Sequence, residues 1–329
     1  MTTIIGRRTA LASVAGLSLA AAAAPKAQGR KRIRFAAVFS DQDMRAEAMR
    51  GFQGDMQAEF DVELHLNATL FRQGTEINAL QRGNLEMANL APQDISRQIP
   101  AWSVMASAYL FRDADHMRKV FASDIGRDFN RMAREQLNIQ VLGPLYFGTR
   151  HVNLKPRKRI ATPADMAGIK LRMPPGETWQ FLGEALGASP TPVAFAELYT
   201  ALQTGTVDGQ DNPLPTSRTM RFHEVTTQFV LTSHVVAYDM LCMSARFWDG
   251  LTDAQRNAVQ AAVNKAIDQS TQRHLVQEQE MITFFRSQGL EVYEPNVAAF
   301  RAEAQRRYLA STQSQSWPAG ILDRINAIR

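Results

Sequence analysis

The 329-residue sequence contains one cysteine, Cys242. An intramolecular disulfide needs two, so no disulfide framework holds this chain, and cysteine-rich zinc sites are excluded with it. Cys242 lies in the apolar run Met240–Met243 and reads as buried and inert. Long apolar runs are missing as well. The stretch Ala10–Ala24 is shorter and less apolar than the roughly 20 residues a membrane-spanning helix needs, and no later stretch qualifies. The phosphate-cradling G-x-x-x-x-G-K-[ST] loop, the dinucleotide pattern G-x-G-x-x-G and the G-x-S-x-G nucleophile turn are absent. The six histidines, His65, His116, His151, His223, His234 and His274, show neither the i, i+4 spacing of a helical zinc site nor an adjacent cysteine. Carboxylates are plentiful, yet no pair stands out as an acid–base dyad. The sequence thus predicts no enzyme, no metal and no cofactor.

Strong net charge is lacking too. The formal charge is +5, and Arg7, Arg8 and Lys26 belong to an N-terminal segment; removing those three leaves about +2. A nucleic-acid partner, which wants a clustered basic face, is not expected. The dense run Lys155–Arg159 sits beside Pro156 and Pro163 and reads as a solvated loop. Residues 1–29 read as an export signal, with Arg7 and Arg8 ahead of the apolar stretch. The paired arginines in GRRTAL resemble a twin-arginine signal; an ordinary secretory signal is the alternative. Either places the remaining chain outside the cytoplasm.

What is present is an alternation of short apolar runs and helical spacings. Ile33–Phe39 reads as a buried strand and Asp41–Phe60 as a helix capped by Ser40 or Asp41. Val62–Leu66 is a second strand, Glu76–Arg82 a helix stopped by Gly83, and Leu85–Leu90 a third strand. This β-α-β-α-β order predicts a parallel sheet covered on both faces, with ligands held beyond the carboxyl ends of its strands. Phe39–Asp41, Gln73–Gly74 and Ala91–Gln93 then fall on candidate binding loops, although ordinary turn chemistry explains each one singly.

A strand-like Ile139–Phe147 leads to Gly148, where a second domain is expected to begin. There the pattern repeats: strand Ile169–Met173, helix Thr178–Leu186, extended Thr191–Val193, helix Phe195–Gln203, extended Val207–Gly209 and a turn at Asn212–Pro213. Arg172 has an apolar neighbour on each side at a strand end, and its planar guanidinium matches a carboxylate bidentately. An arginine facing water or a structural acid would carry the same pattern. Asn212 offers either amide atom to a ligand but also suits a turn; Phe195 could stack on a ligand or pack in a core. Val225–Val230 and Val235–Ser244 read as two strands returning to the first domain, which puts His234 and Tyr238 where the chain recrosses a cleft. Thr252–Ser287 lacks Gly and Pro and reads as one long helix or a bent one, followed by strand Leu290–Tyr293 and helix Val297–Leu309.

The motifs G168-I-K-L-R-M-P and A185-L-G-A-S-P-T-P-V-A-F-A-E-L-Y-T-A-L-Q-T-G-T-V-D-G-Q-D-N-P resemble the DctP family of extracytoplasmic solute receptors of TRAP transporters. The likeness extends over essentially the whole chain after the signal. It implies a two-domain periplasmic-binding-protein architecture of α/β class, with crossing strands and a long hinge-spanning helix. The implied division is 30–149 plus about 238–278 for domain I and 150–237 plus about 279–329 for domain II. By the resemblance, Arg172 would form a salt bridge with a substrate carboxylate, Arg150 in its G-T-R setting would be a second arginine, Asn212 the amide after D-G-Q-D, and Phe195 a pocket aromatic. Phe39, Ser40, Gln73 and Ala91 complete the candidate site from the first domain without indicating which acid is bound. The implied partners are a small carboxylate ligand and the small and large subunits of a membrane permease, and the implied location is the periplasm of a Gram-negative bacterium.

Overall fold

Among the described residues, nine strands build one mixed sheet: β1 (Lys31–Ala36), β2 (Phe60–His65), β3 (Met87–Leu90), β4 (Ile139–Leu154), β5 (Lys170–Met173), β6 (Ser189–Pro192), β7 (Gly209–Pro213), β8 (Gln228–Ser244) and β9 (Glu291–Tyr293). The computed structural model describes residues 30–329; the expected export signal lies outside the described residues. Strand order is β2-β1-β3-β8-β4-β7-β5-β6, with β9 on β8. At one end β1 runs parallel to β2 and β3, and at the other β5 runs parallel to β6 and β7. Between them lie β4 and β8, antiparallel to each other and to β7 and β3 respectively. Each parallel set is what β-α-β connections produce, since parallel neighbours require a crossover.

The α/β class is as expected, and several boundaries differ for local reasons. The helix after β1 spans Met44–Met56 and is capped by Asp43, whose side chain accepts from the Arg45 N–H, not by Ser40 or Asp41. The Ser40–Asp43 turn, closed by Asp43 N–H to Ser40 O at 3.1 Å, displaces the start of the helix. Strand β4 does not end at Phe147. Gly148, at φ +118°, makes a bulge beside Pro213, and pairing resumes beyond it. The two expected strands of Val225–Ser244 are one long β8: the ladder to β4 skips Leu231–His234, where Ser233 has φ +49°, and continues on both sides. Asn212 and Pro213 are not a turn but the last pairs of β7, opposite His151 and Arg150. Pro213 ends β7 and is at the same time the N-cap of the helix Leu214–Thr219, which follows directly.

The long helix, Asp253–Ser287, carries a capping box between Thr252 and Gln255 and ends before Gly289 at φ +83°. At 35 residues it extends about 52 Å. Its first half packs Val259, Ala262, Val263 and Ala266 into the core beneath β1 and β2. Its last turns place Met281 and Phe285 against Leu214 and Phe229 in a separate cluster. Between these, contacts to β4 are polar: Ser270 donates to Tyr146 O, the Tyr146 hydroxyl donates to Glu278 at 2.6 Å, and the Thr149 N–H donates to Glu278. Among the described residues, no helix is long and apolar enough to cross a membrane.

Candidate functional site

A cavity lies where the carboxyl ends of β1, β3 and β5 converge on the middle of β8, with Gln73 of the loop after β2 at its edge. Its wall on the β5–β7 side is organised by Arg172. Period-two alternation along β5 sends Leu171 and Met173 into an apolar cluster and turns Arg172 into the cavity. The residue is 1% exposed. Its Nε donates to Val193 O at 2.8 Å and its Nη2 to Gln73 Oε1 at 3.3 Å, while the Phe195 ring lies 5.8 Å from the guanidinium carbon. No described carboxylate lies within ion-pair distance of it. Burial pushes its pKa down to about 9; Asp211 opposes the shift and Arg150 adds to it. At neutral pH the group is still a cation, held in a desolvated place with only neutral acceptors.

Arg150, on β4, faces the same cavity under a different constraint. Its Nε donates to Asp211 Oδ2 at 2.6 Å, and its Nη2 to Asp211 Oδ1 at 3.0 Å and to Asp211 O at 2.6 Å. Trp179 lies beneath it at 5.0 Å. Although burial opposes ionisation of Asp211, Arg150 and a hydrogen bond from His234 hold that carboxyl well below the usual range. His234, fully buried, bridges Asp211 at 3.0 Å and Thr232 Oγ1 at 2.8 Å. It therefore stands behind the wall and does not line the cavity. Asn212 does line it, with its amide fixed by donation to Gln210 Oε1 at 2.6 Å.

The wall on the β1–β3 side is built from loop residues at the strand ends. Phe39, Gln73 and Ala91 all line it. Ser40 does not: its side chain turns into the protein, where its hydroxyl oxygen is buried without a partner. Tyr238 is among the lining residues, but its hydroxyl is committed to Met105 O at 2.8 Å and its ring packs edge-on against Phe121 at 5.2 Å.

Several wall residues escape sequence reading. Arg45 sits in a helix whose charged neighbours Glu47 and Arg50 make it look solvated, yet it is 4% exposed. It is clamped by Asp43 at 2.8 Å and Asp239 at 2.9 Å, between the rings of Phe39 and Phe147 at 4.5 and 4.0 Å. Asn89 donates to Asp239 at 2.8 Å, leaving its Oδ1 buried without a partner, and Gln93 Oε1 is in the same condition. Asp94 and Glu76 complete this acceptor-rich wall. Burial pushes the Asp94 carboxyl up to about 7, against Arg97 and with help from Asp239; burial pushes Glu76 up to about 8 against its backbone hydrogen bonds. Gln93 falls on the expected binding loop Ala91–Gln93, and Asp94 is the residue next to it. Arg45 and Asp239 gave no signal, since pairing across 194 residues has no local pattern.

Residues 41–315 match the family model described as bacterial extracellular solute-binding protein, family 7, DctP. The chain belongs to this family. Among the relatives of this family-7 protein is the sialic acid-binding periplasmic protein SiaP of Vibrio cholerae, 34% identical over 252 residues that cover 77% of this chain and 78% of the relative. A TRAP periplasmic solute-binding protein from Roseobacter denitrificans, solved with 3-deoxy-D-manno-oct-2-ulosonic acid bound, is 41% identical with a TM-score of 0.90, covering 91% of this chain and all of that one. Another from Polaromonas, bound to D-erythronate, is 26% identical with a TM-score of 0.84, covering 91% of this chain and 99% of that one. The family-7 fold accounts for the two parallel strand sets joined by long crossing strands, and the residues facing its cavity are those described above.

Proposed function

We propose that this family-7 protein is the exported receptor of a TRAP transporter and that it captures a small organic acid through Arg172. The observation that carries the reading is a guanidinium that is 1% exposed and has no protein carboxylate beside it. Desolvating a cation is costly unless a counter-charge is supplied, and a ligand carboxylate supplies it with bidentate geometry. Asn212 and the Phe195 ring flank that position, and Arg150 adds positive potential while its own charge is balanced by Asp211. Opposite Arg172, the acceptors of Asn89, Gln93 and Asp239 suit hydroxyl donors, which favours a hydroxylated acid. The acids held by the Roseobacter and Polaromonas relatives support this reading.

In this reading the β1–β3 side corresponds to domain I (30–149 plus about 238–278) and the β5–β7 side to domain II (150–237 plus about 279–329). The two close on the ligand as a hinge motion and deliver it to a permease of small and large membrane subunits from the periplasm. The test is a thermal-shift screen of the protein against sugar acids, aldonates, 2-oxo acids and dicarboxylates. A ligand at a hundred times its Kd stabilises by about 2.7 kcal/mol, a readily measured shift. The reading stands if an acid produces the shift and Arg172→Ala abolishes it. It falls if Arg172→Ala responds as the wild type does. Acid recovered chemically altered after incubation would point instead to an enzyme.

A further inference from the structure

Gln73 and Arg172 come from opposite ends of the sheet. Gln73 follows β2 and Arg172 belongs to β5, with β8 and β4 between the two strand sets. They nonetheless meet in the cavity: Gln73 Oε1 accepts from Arg172 Nη2 at 3.3 Å and from the Phe195 N–H at 2.9 Å. One amide oxygen thus occupies two donors on the far side that a carboxylate oxygen would also satisfy. Ser96 Oγ and Thr178 Oγ1, 2.8 Å apart, also join the two sides, but through two hydroxyls that carry no charge.

The chemistry of that oxygen matters. A guanidinium donating to an amide oxygen already makes a charge-assisted hydrogen bond, but the amide brings no counter-charge, so it orients the guanidinium without neutralising it. Both acceptors on Arg172, Gln73 Oε1 and Val193 O, are neutral. The guanidinium is therefore aimed and restrained while its charge stays available.

We propose that Gln73 is a positioning residue that couples carboxylate capture to closure of the cavity, and that its neutrality is what allows capture. The proposal rests on Arg172 as the carboxylate anchor. Gln73 ties the β1–β3 side to that anchor, so the arginine that meets the ligand is the group that draws the two sides together. A glutamate at position 73 has nearly the same shape but supplies the missing counter-charge from within, closing the cavity and excluding the ligand. An alanine removes the tie and leaves the charge free.

The experiment compares Gln73→Ala and Gln73→Glu with the wild type in the full chain. Spin labels on cysteines placed at the exposed Asn78 and Glu197 report the distance across the cavity; Cys242 is buried and stays unlabelled. In ligand-free protein, Gln73→Ala lengthens and broadens the distance distribution, and Gln73→Glu shortens and narrows it. With 3-deoxy-D-manno-oct-2-ulosonic acid as the probe, both variants bind more weakly, Gln73→Ala by about tenfold and Gln73→Glu by about a hundredfold. A merely structural role would move both distance distributions the same way, and that outcome overturns the proposal, as does wild-type affinity in Gln73→Glu. The ligand-free distances decide whether Gln73 ties the two sides, and the affinities decide whether its neutrality allows capture. A wild type that binds none of the acids in the screen would count against the Arg172 reading and leave the result on Gln73 standing.

Discussion

Of the three buried arginines that line the cavity, Arg45 and Arg172 face it from opposite sides and live under opposite constraints. Arg45 is held by two carboxylates and sandwiched between two rings; Arg172 has two neutral oxygens and one ring. The first is a structural keystone whose charge is already spent within the protein. The second carries a charge that the protein does not balance locally. Burial and residue type are the same in both, so only the partners separate scaffold from binding group.

The sharpest way to break this contrast is to remove Arg45. Arg45→Ala strands Asp43 and Asp239 in the interior, and loss of one partner from a buried ion cluster costs about 3–5 kcal/mol. Urea unfolding of the ligand-free protein should show a loss of that size; an unchanged midpoint would mean that the cluster contributes little. Next in size, Arg172→Ala should reduce affinity for the captured acid by about a hundredfold, as for truncation of a buried charge pair, while leaving the ligand-free unfolding midpoint unchanged or higher. Calorimetric titration and the same urea curves check both halves of that statement. Destabilisation comparable to that of Arg45→Ala would erase the distinction between the two arginines.

A smaller effect follows from the two acids on the Arg45 side. Asp94 and Glu76 have folded pKa values raised to about 7 and about 8, above their usual carboxylate values. A raised folded pKa means that the folded state holds the proton more tightly, so the stability it confers is complete at acid pH and is lost as pH rises through the folded value. Below about pH 6.5 the buried His151 and His274, whose pKa values are lowered to about 3 and about 4, oppose the trend because they resist protonation when folded. In the window pH 6.5–8 these two acids should lower stability by roughly 2–2.5 kcal/mol, and the double substitution Asp94→Asn, Glu76→Gln should reduce the slope. Smallest of all, Phe195→Leu removes the ring beside Arg172 and should weaken the acid two- to fivefold, in line with about 0.5–1 kcal/mol for such a contact.

Much of the fold was legible because its punctuation is local. Glycines and prolines marked the strand and helix ends around β5 and β6, and Thr252 with an unbroken run to Gly289 announced the long helix. The errors share one cause. Gly148 and the polar Thr232-Ser233-His234 look like strand ends, whereas the crossing strands absorb them as irregularities because pairing on both sides is long enough to continue. The cavity followed the same rule. Residues placed by a strand end, such as Phe39, Gln73, Ala91 and Arg172, could be named in advance. Asn89 and Asp239, and Arg45 in its bond to Asp239, are paired across 150 or more residues, and nothing near them in the chain tells of those contacts.

The long helix has a mechanical consequence. Its two ends are seated in separate apolar cores, and apolar contacts slide and readjust with little directional preference. Its middle is fastened to β4 by Ser270 and Glu278, through hydrogen bonds that weaken steeply once distance and angle are lost. Glu278 accepts from Tyr146 and Thr149 on either side of the Gly148 bulge, so this polar fastening of the strut sits where β4 is already irregular.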